Sequence, residues 1–147
     1  MWILLGILAG LVLPIQTLVN TRLRASTGTP FSSSMISFAV GTVTLLIVAT
    51  AVTGGNYGIA QAFNEPLWIW FGGLLGVVAL TGNILLYPHL GAVQTVVLPI
   101  AGQVIMGLIV DHFGLFESPQ SSLTAVRAIG AIIVLVGVIA VVATPSA

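Results

Sequence analysis

Only six residues in this chain carry a formal charge, and they fall where a series of apolar helices would have to turn. Arg22 and Arg24, then Glu65, then Asp111, Glu117 and Arg127 leave charge-free runs at 1–21, 25–64, 66–110 and 128–147. A helix needs ~20 apolar residues to cross the ~30 Å hydrocarbon core of a bilayer, and these runs supply them repeatedly. A soluble domain is about a quarter charged. This chain is 4% charged and 58% hydrophobic, so its solvent is expected to be lipid. A transmembrane barrel would show ~10-residue segments alternating apolar with polar. The segments here are almost uniformly apolar, and none has the charged outer face of a water-soluble bundle. The expected fold class is therefore an all-α, multi-pass membrane protein.

Five apolar segments emerge, which predicts one transmembrane domain over 1–147 with helices at about 2–21, 31–53, 67–87, 92–110 and 123–143. The first is expected to stop at Arg22 and Arg24, with a turn over 25–30. The second ends at Gly54-Gly55-Asn56, and a more polar loop runs to Glu65. Pro66 then suits a first helical turn, where its missing N–H costs nothing. Pro88 and Gly91 are expected to stop the third helix. Gly114 and Pro119 break the longest loop, 111–122, and Thr144-Pro145 follows the fifth helix. The N-terminus lacks the positive region and cleavage site of a signal peptide, so the first helix is expected to be retained. Five spans place the termini on opposite sides, with Arg22 and Arg24 facing one side and Arg127 the other. The positive-inside rule then favours N-terminus out and C-terminus in. The margin is one arginine, so the chain could insert both ways.

Small and polar residues form stripes at helical spacing. Gly6, Gly10, Pro14 and Thr17 share a side of the first helix, flanked by Gln16 and Asn20. Gly72, Gly76, Asn83 and Tyr87 follow on the third. Pro99, Gln103, Gly107 and Asp111 fall four apart on the fourth, and Gly130 and Gly137 mark the fifth. Most such stripes are packing surfaces, because small residues let membrane helices approach closely. The amides differ: an unsatisfied amide in hydrocarbon costs several kcal/mol. Gln16, Asn20, Asn83 and Gln103 must either bond each other across helices or line a polar cavity. Pro14 and Pro99 remove mid-helix hydrogen bonds, and broken helices often mark transport sites. Asp111 and Arg127 bracket the last loop as an ion pair fixing a hairpin, or as a gate.

The inventory excludes several functions. With no Cys and two distant His, neither disulfides nor a metal site is expected. No basic patch suits nucleic acid. No nucleophile–base arrangement or phosphate-binding loop occurs, so neither an enzyme nor a bound cofactor is expected.

Five stretches together resemble a known family. They are G-x-x-x-G-x-x-x-P-I-Q-x-x-x-N-x-R-L from Gly6 to Leu23 and S-F-x-x-G-T from Ser37 to Thr42. L-Y-P-H-L-G from Leu86 to Gly91 and G-Q-V-I-x-G-L-I-V-D-H-F-G-L-F from Gly102 to Phe116 follow. The last is R-x-I-G-A-x-x-V-L-x-G-V from Arg127 to Val138. In order and spacing they resemble the YdcZ family of the drug/metabolite transporter superfamily. That resemblance implies a cell (inner) membrane protein of five helices, half of a ten-helix inverted-repeat transporter. Its partner would be a second five-helix subunit, either itself in antiparallel dual topology or a sister protein. The implied function is export or uptake of an unidentified small molecule at a midplane polar site. Pro14, Gln16, Asn20, Asn83, Tyr87 and Gln103 are the candidate substrate-binding residues. Gly130 and Gly137 are the candidate dimer-packing residues. Related small multidrug transporters carry a central Glu in the first helix, where this chain has Gln16 and Asn20. An antiparallel-dimer ion channel and a structural subunit needing a sister protein are the alternative functions.

Overall fold

The computed structural model describes residues 1–144; Pro145, expected to follow the fifth helix, lies outside the described residues. Every regular element among the described residues is helical. Helix α1 spans Trp2–Thr27, α2 Pro30–Thr53, the single turn α3 Ile59–Ala62, α4 Phe71–Phe113 and α5 Ala125–Ala143. Short 3-10 turns occupy Leu67–Trp70 and Leu115–Glu117. Four of these helical stretches are long and apolar enough to cross a membrane, with mean hydropathy from 2.0 to 2.7 over their best windows.

Two boundaries differ from the sequence expectation, each for a local reason. Arg22 and Arg24 do not end α1. The helix continues to Thr27 and stops at Gly28, whose N–H donates to the Arg24 carbonyl at 2.9 Å. A charged side chain does not block the backbone ladder; a left-handed residue does. Nor does Pro88 end α4, because proline's fixed φ is compatible with a helix. The break comes three residues later at Gly91, with φ 73° and ψ −178°. That region of backbone space is essentially reserved for glycine. We denote residues 71–90 and 92–113 as α4a and α4b.

The chain divides into two compact units, Met1–Pro88 and His89–Ala147. In the first, α1 and α2 form a hairpin around the turn at 28–29. Thr29 caps α2, its hydroxyl accepting from the Ser32 N–H at 3.0 Å, and Pro30 takes the first helical position. Helix α4a packs against both. Ser34 pairs with Thr81 at 2.8 Å and Phe38 rests on Gly76, so α2 and α4a run antiparallel. Arg24 bonds Ile84 while the 13–17 stretch of α1 faces 76–83, so α1 and α4a run parallel.

In the second unit, α4b and α5 form an antiparallel hairpin pinned at both ends. Near its start, the Gln94 side chain donates to the Thr144 carbonyl at 3.1 Å. At the far end, Asp111 and Arg127 form an ion pair.

Beside Ile84 and Val138, the buried residues are polar, and most large apolar side chains lie outside. Thr17, Asn20, Ser33, Ser34, Thr81 and Thr95 are buried, while large aliphatic side chains on every long helix stay exposed. Water would drive the opposite arrangement. In lipid, helices associate through close packing and small polar contacts, as here.

Candidate functional site

The first unit contains a chamber of about 250 Å³ lined by eight residues from three helices. Helix α1 contributes Leu13, Gln16 and Thr17, α2 contributes Phe38, and α4a contributes Gly76, Ala79, Leu80 and Asn83. These positions are three or four apart on α1 and α4a, so each helix presents one face. Gly76 makes room for Phe38: a Cβ there would sit 3.4 Å from the ring. The chamber brings together Gln16 and Asn83, two of the amides singled out from the sequence. Among the described residues, no hydrogen bond engages either side chain. The Thr17 hydroxyl donates to the Leu13 carbonyl at 3.0 Å, leaving its lone pairs available to accept.

A polar seam closes the α1–α2 turn end of this unit. Asn20 is 3% exposed and does not line the chamber; its carbonyl accepts from the Ser33 hydroxyl at 2.6 Å. Beyond it, the Arg24 guanidinium donates to the Ile84 carbonyl at 3.1 Å. The reason lies four residues along: Pro88 has no N–H, so the helical donor for that carbonyl is missing. Arg24 supplies it from another helix. Sequence reasoning placed Arg24 in a loop and missed this role. The orphaned carbonyl was readable from Pro88, but its partner was not. Tyr87 lies one turn beyond Asn83, half-buried and outside the chamber lining. Pro14 is also half-buried, and α1 passes through it.

The second unit holds a groove of about 380 Å³ between α4b and α5. It gathers Gln103, Gly107, Asp111, Arg127 and Gly130, and Gly137 lies outside it. The Arg127–Asp111 pair closes one end, with both side chains 36% exposed. Arg127 also donates to the Ser121 carbonyl at 3.1 Å and its hydroxyl at 3.0 Å. In turn, the Ser121 N–H donates to the Asp111 carbonyl at 2.7 Å. His112 Nδ1 accepts from the Leu123 N–H at 3.2 Å, and Gln120 donates to the His112 carbonyl at 3.0 Å. The long loop is thus tied back onto α4b at several points. Nothing in the pattern around Ser121 marked it beforehand. Gln103 is exposed in the groove and, among the described residues, has no hydrogen-bond partner.

Two buried hydroxyls, those of Thr21 in α1 and Thr95 in α4b, have no hydrogen-bond partner among the described residues. Other helical threonines, such as Thr42, Thr44 and Thr53, donate to the carbonyl four residues back. For Thr95 that residue is the non-helical Gly91.

No group of three or more His, Asp or Glu among the described residues is arranged to hold a metal ion. The chamber instead offers neutral amides, a hydroxyl and an aromatic ring. Such groups form reversible hydrogen bonds and apolar contacts, which suit binding and release. A family model described as "Putative inner membrane exporter, YdcZ" matches residues 1–140. No curated relative and no solved structure matches the chain.

Proposed function

The chain belongs to the YdcZ family, a family of inner-membrane exporters, and we propose from that premise that it is one half of a small-molecule carrier. It is a multi-pass inner-membrane protein and a membrane transporter. The proposal adds its assembly and its site. Helix α4 has 43 residues. At ~1.5 Å per residue it is about twice as long as the ~30 Å hydrocarbon core is thick. Together with the break at Gly91, this favours two crossings by α4 and five by the chain, with termini on opposite faces.

The observation that carries the site is the state of the amides. Gln16, Asn83 and Gln103 face open space without hydrogen-bond partners among the described residues. Amides acting as interhelical glue would be paired. Amides facing lipid would cost several kcal/mol each. A cavity completed by a second five-helix subunit, itself antiparallel or a sister protein, satisfies them with water or substrate. In this reading the chamber around Gln16 and Asn83 forms part of a midplane substrate site. Asn20, Pro14 and Tyr87 shape its surroundings, Asp111 and Arg127 hold the α4b–α5 hairpin, and Gly130 and Gly137 pack against the partner.

Reconstitution into liposomes, with counterflow of a panel of labelled small molecules, tests this. For whichever compound moves, Gln16→Ala and Asn83→Ala should each reduce transport about tenfold or more, the loss of roughly one hydrogen bond to substrate. Full transport by both variants, and by Gln103→Ala and Asn20→Ala, would place the site elsewhere. Currents far above carrier turnover would identify a channel.

A further inference from the structure

We propose that the segment between α2 and α4 is an in-plane aromatic anchor. It would lie in the lipid headgroup layer and bind the bilayer surface rather than water or another protein. The first unit has two chemically distinct ends. Because α1 and α4a run parallel and α2 runs antiparallel to α4a, one end gathers the start of α1, the end of α2 and the start of α4a. All three tryptophans of the chain, Trp2, Trp68 and Trp70, lie at that end. Arg22 and Arg24 lie at the other. Trp2 and Arg22 stand 20 positions apart on one helix. At ~1.5 Å per residue this is ~30 Å, the thickness of the hydrocarbon core.

The intervening segment has the composition of an interfacial element. Ile59 and Phe63 are four apart across α3, and Phe63 stacks on Trp70 with ring centroids 5.6 Å apart. Gln61, Asn64 and Glu65 supply the polar residues between them. Tyr57 ties the segment to the end of α2 through a 2.8 Å hydrogen bond to Thr50. Phe63 is 74% exposed and Leu67 82% exposed. Exposed apolar groups clustered in one short segment are costly in water, whereas the headgroup boundary accepts them. Trp and Tyr favour that layer because one end of the ring is apolar and the other polar. An amphipathic segment lies along it with the apolar side down.

The absence of cysteine makes the test clean. Single-cysteine variants Phe63→Cys, Glu65→Cys and Leu67→Cys would carry spin labels in the full chain, in phosphatidylcholine–phosphatidylglycerol vesicles. The labels at 63 and 67 should relax more with oxygen, which partitions into lipid, than with a water-soluble nickel complex. The label at 65 should show the reverse. Equal relaxation of all three by the nickel complex would make the segment a solvated loop. Protection of 63 and 67 from both agents would make it a protein contact. Either result overturns the proposal. Fluorescence supplies a check without cysteine variants. With Trp68 replaced by Phe, and either Trp2 or Trp70 also replaced, the remaining tryptophan should be quenched most by lipids brominated near the headgroup. Similar depths are expected for Trp2 and Trp70. Quenching by aqueous iodide alone would refute the anchor.

Discussion

Arg24 illustrates how one residue changes meaning between sequence and structure. As a charge after an apolar run it counts toward topology; in the fold it is half-buried and donates to Ile84. If its role is to replace the N–H that Pro88 lacks, the two positions must be coupled. Arg24→Met should destabilise the protein by ~1.5–3 kcal/mol, the range for a hydrogen bond to a charged group. In a Pro88→Ala background the helix supplies its own donor, and the same substitution should cost ~1 kcal/mol less. Denaturant unfolding in mixed micelles measures both arms, and additive costs would refute the link. Asp111 and Arg127 form an ion pair. Both are a third exposed, so their mutual coupling should be only ~0.5–1 kcal/mol. Arg127→Ala should nonetheless cost more than Asp111→Ala, since it also removes both bonds to Ser121. A double-mutant cycle on thermal unfolding separates the two terms.

At the scale of elements, the apolar runs announced the helices, while the stops were harder to read. The glycine stops predicted at Gly54 and Gly91 are present, but α1 passes Arg22 and Arg24, and α4 passes Pro88. Positive-φ glycines end α1 and α2, break α4 and follow it at Gly114. Gly91 breaks α4 where the sequence predicts a stop, while the other glycines of α4 stay helical. The distinction is measurable. An added Cβ meets nothing within 4 Å at either Gly91 or Gly130, so space is available at both. At Gly91 the backbone itself forbids a side chain, and Gly91→Ala should lower stability by ~1–3 kcal/mol. Gly130 lies inside α5, where Gly130→Ala in the dissociated subunit should be neutral or stabilising by up to ~1 kcal/mol. Thermal unfolding of the two variants side by side would show it, and equal shifts would mean that the break at Gly91 is not a fixed feature.

For the whole molecule, the decisive fact is that Gln16, Asn83 and Gln103 have no hydrogen-bond partner among the described residues, on helices long and apolar enough to cross a membrane. If no second subunit covers the chamber and lipid reaches Gln16, Gln16→Leu should stabilise the protein by ~1–3 kcal/mol. If a second subunit covers it, the substitution should instead weaken assembly, seen as a larger monomer fraction on dilution in micelles. A stabilised chain with unchanged assembly would argue that no partner reaches this face.

The sequence alone determined that the chain is a bundle of membrane helices, because charge-free runs of this length admit no other solvent. It also marked the amides, since any large polar group at membrane depth must be accounted for. What it could not determine was which polar groups meet. Gln16 and Asn83 line one chamber, Arg24 bonds Ile84 and Arg127 bonds Ser121, and no helical spacing links the members of any of these pairs. Helical periodicity assigns each residue a face but says nothing of which face lies opposite. Only the tertiary structure supplies that, through the crossing of α1, α2 and α4a and the return of the long loop onto α4b.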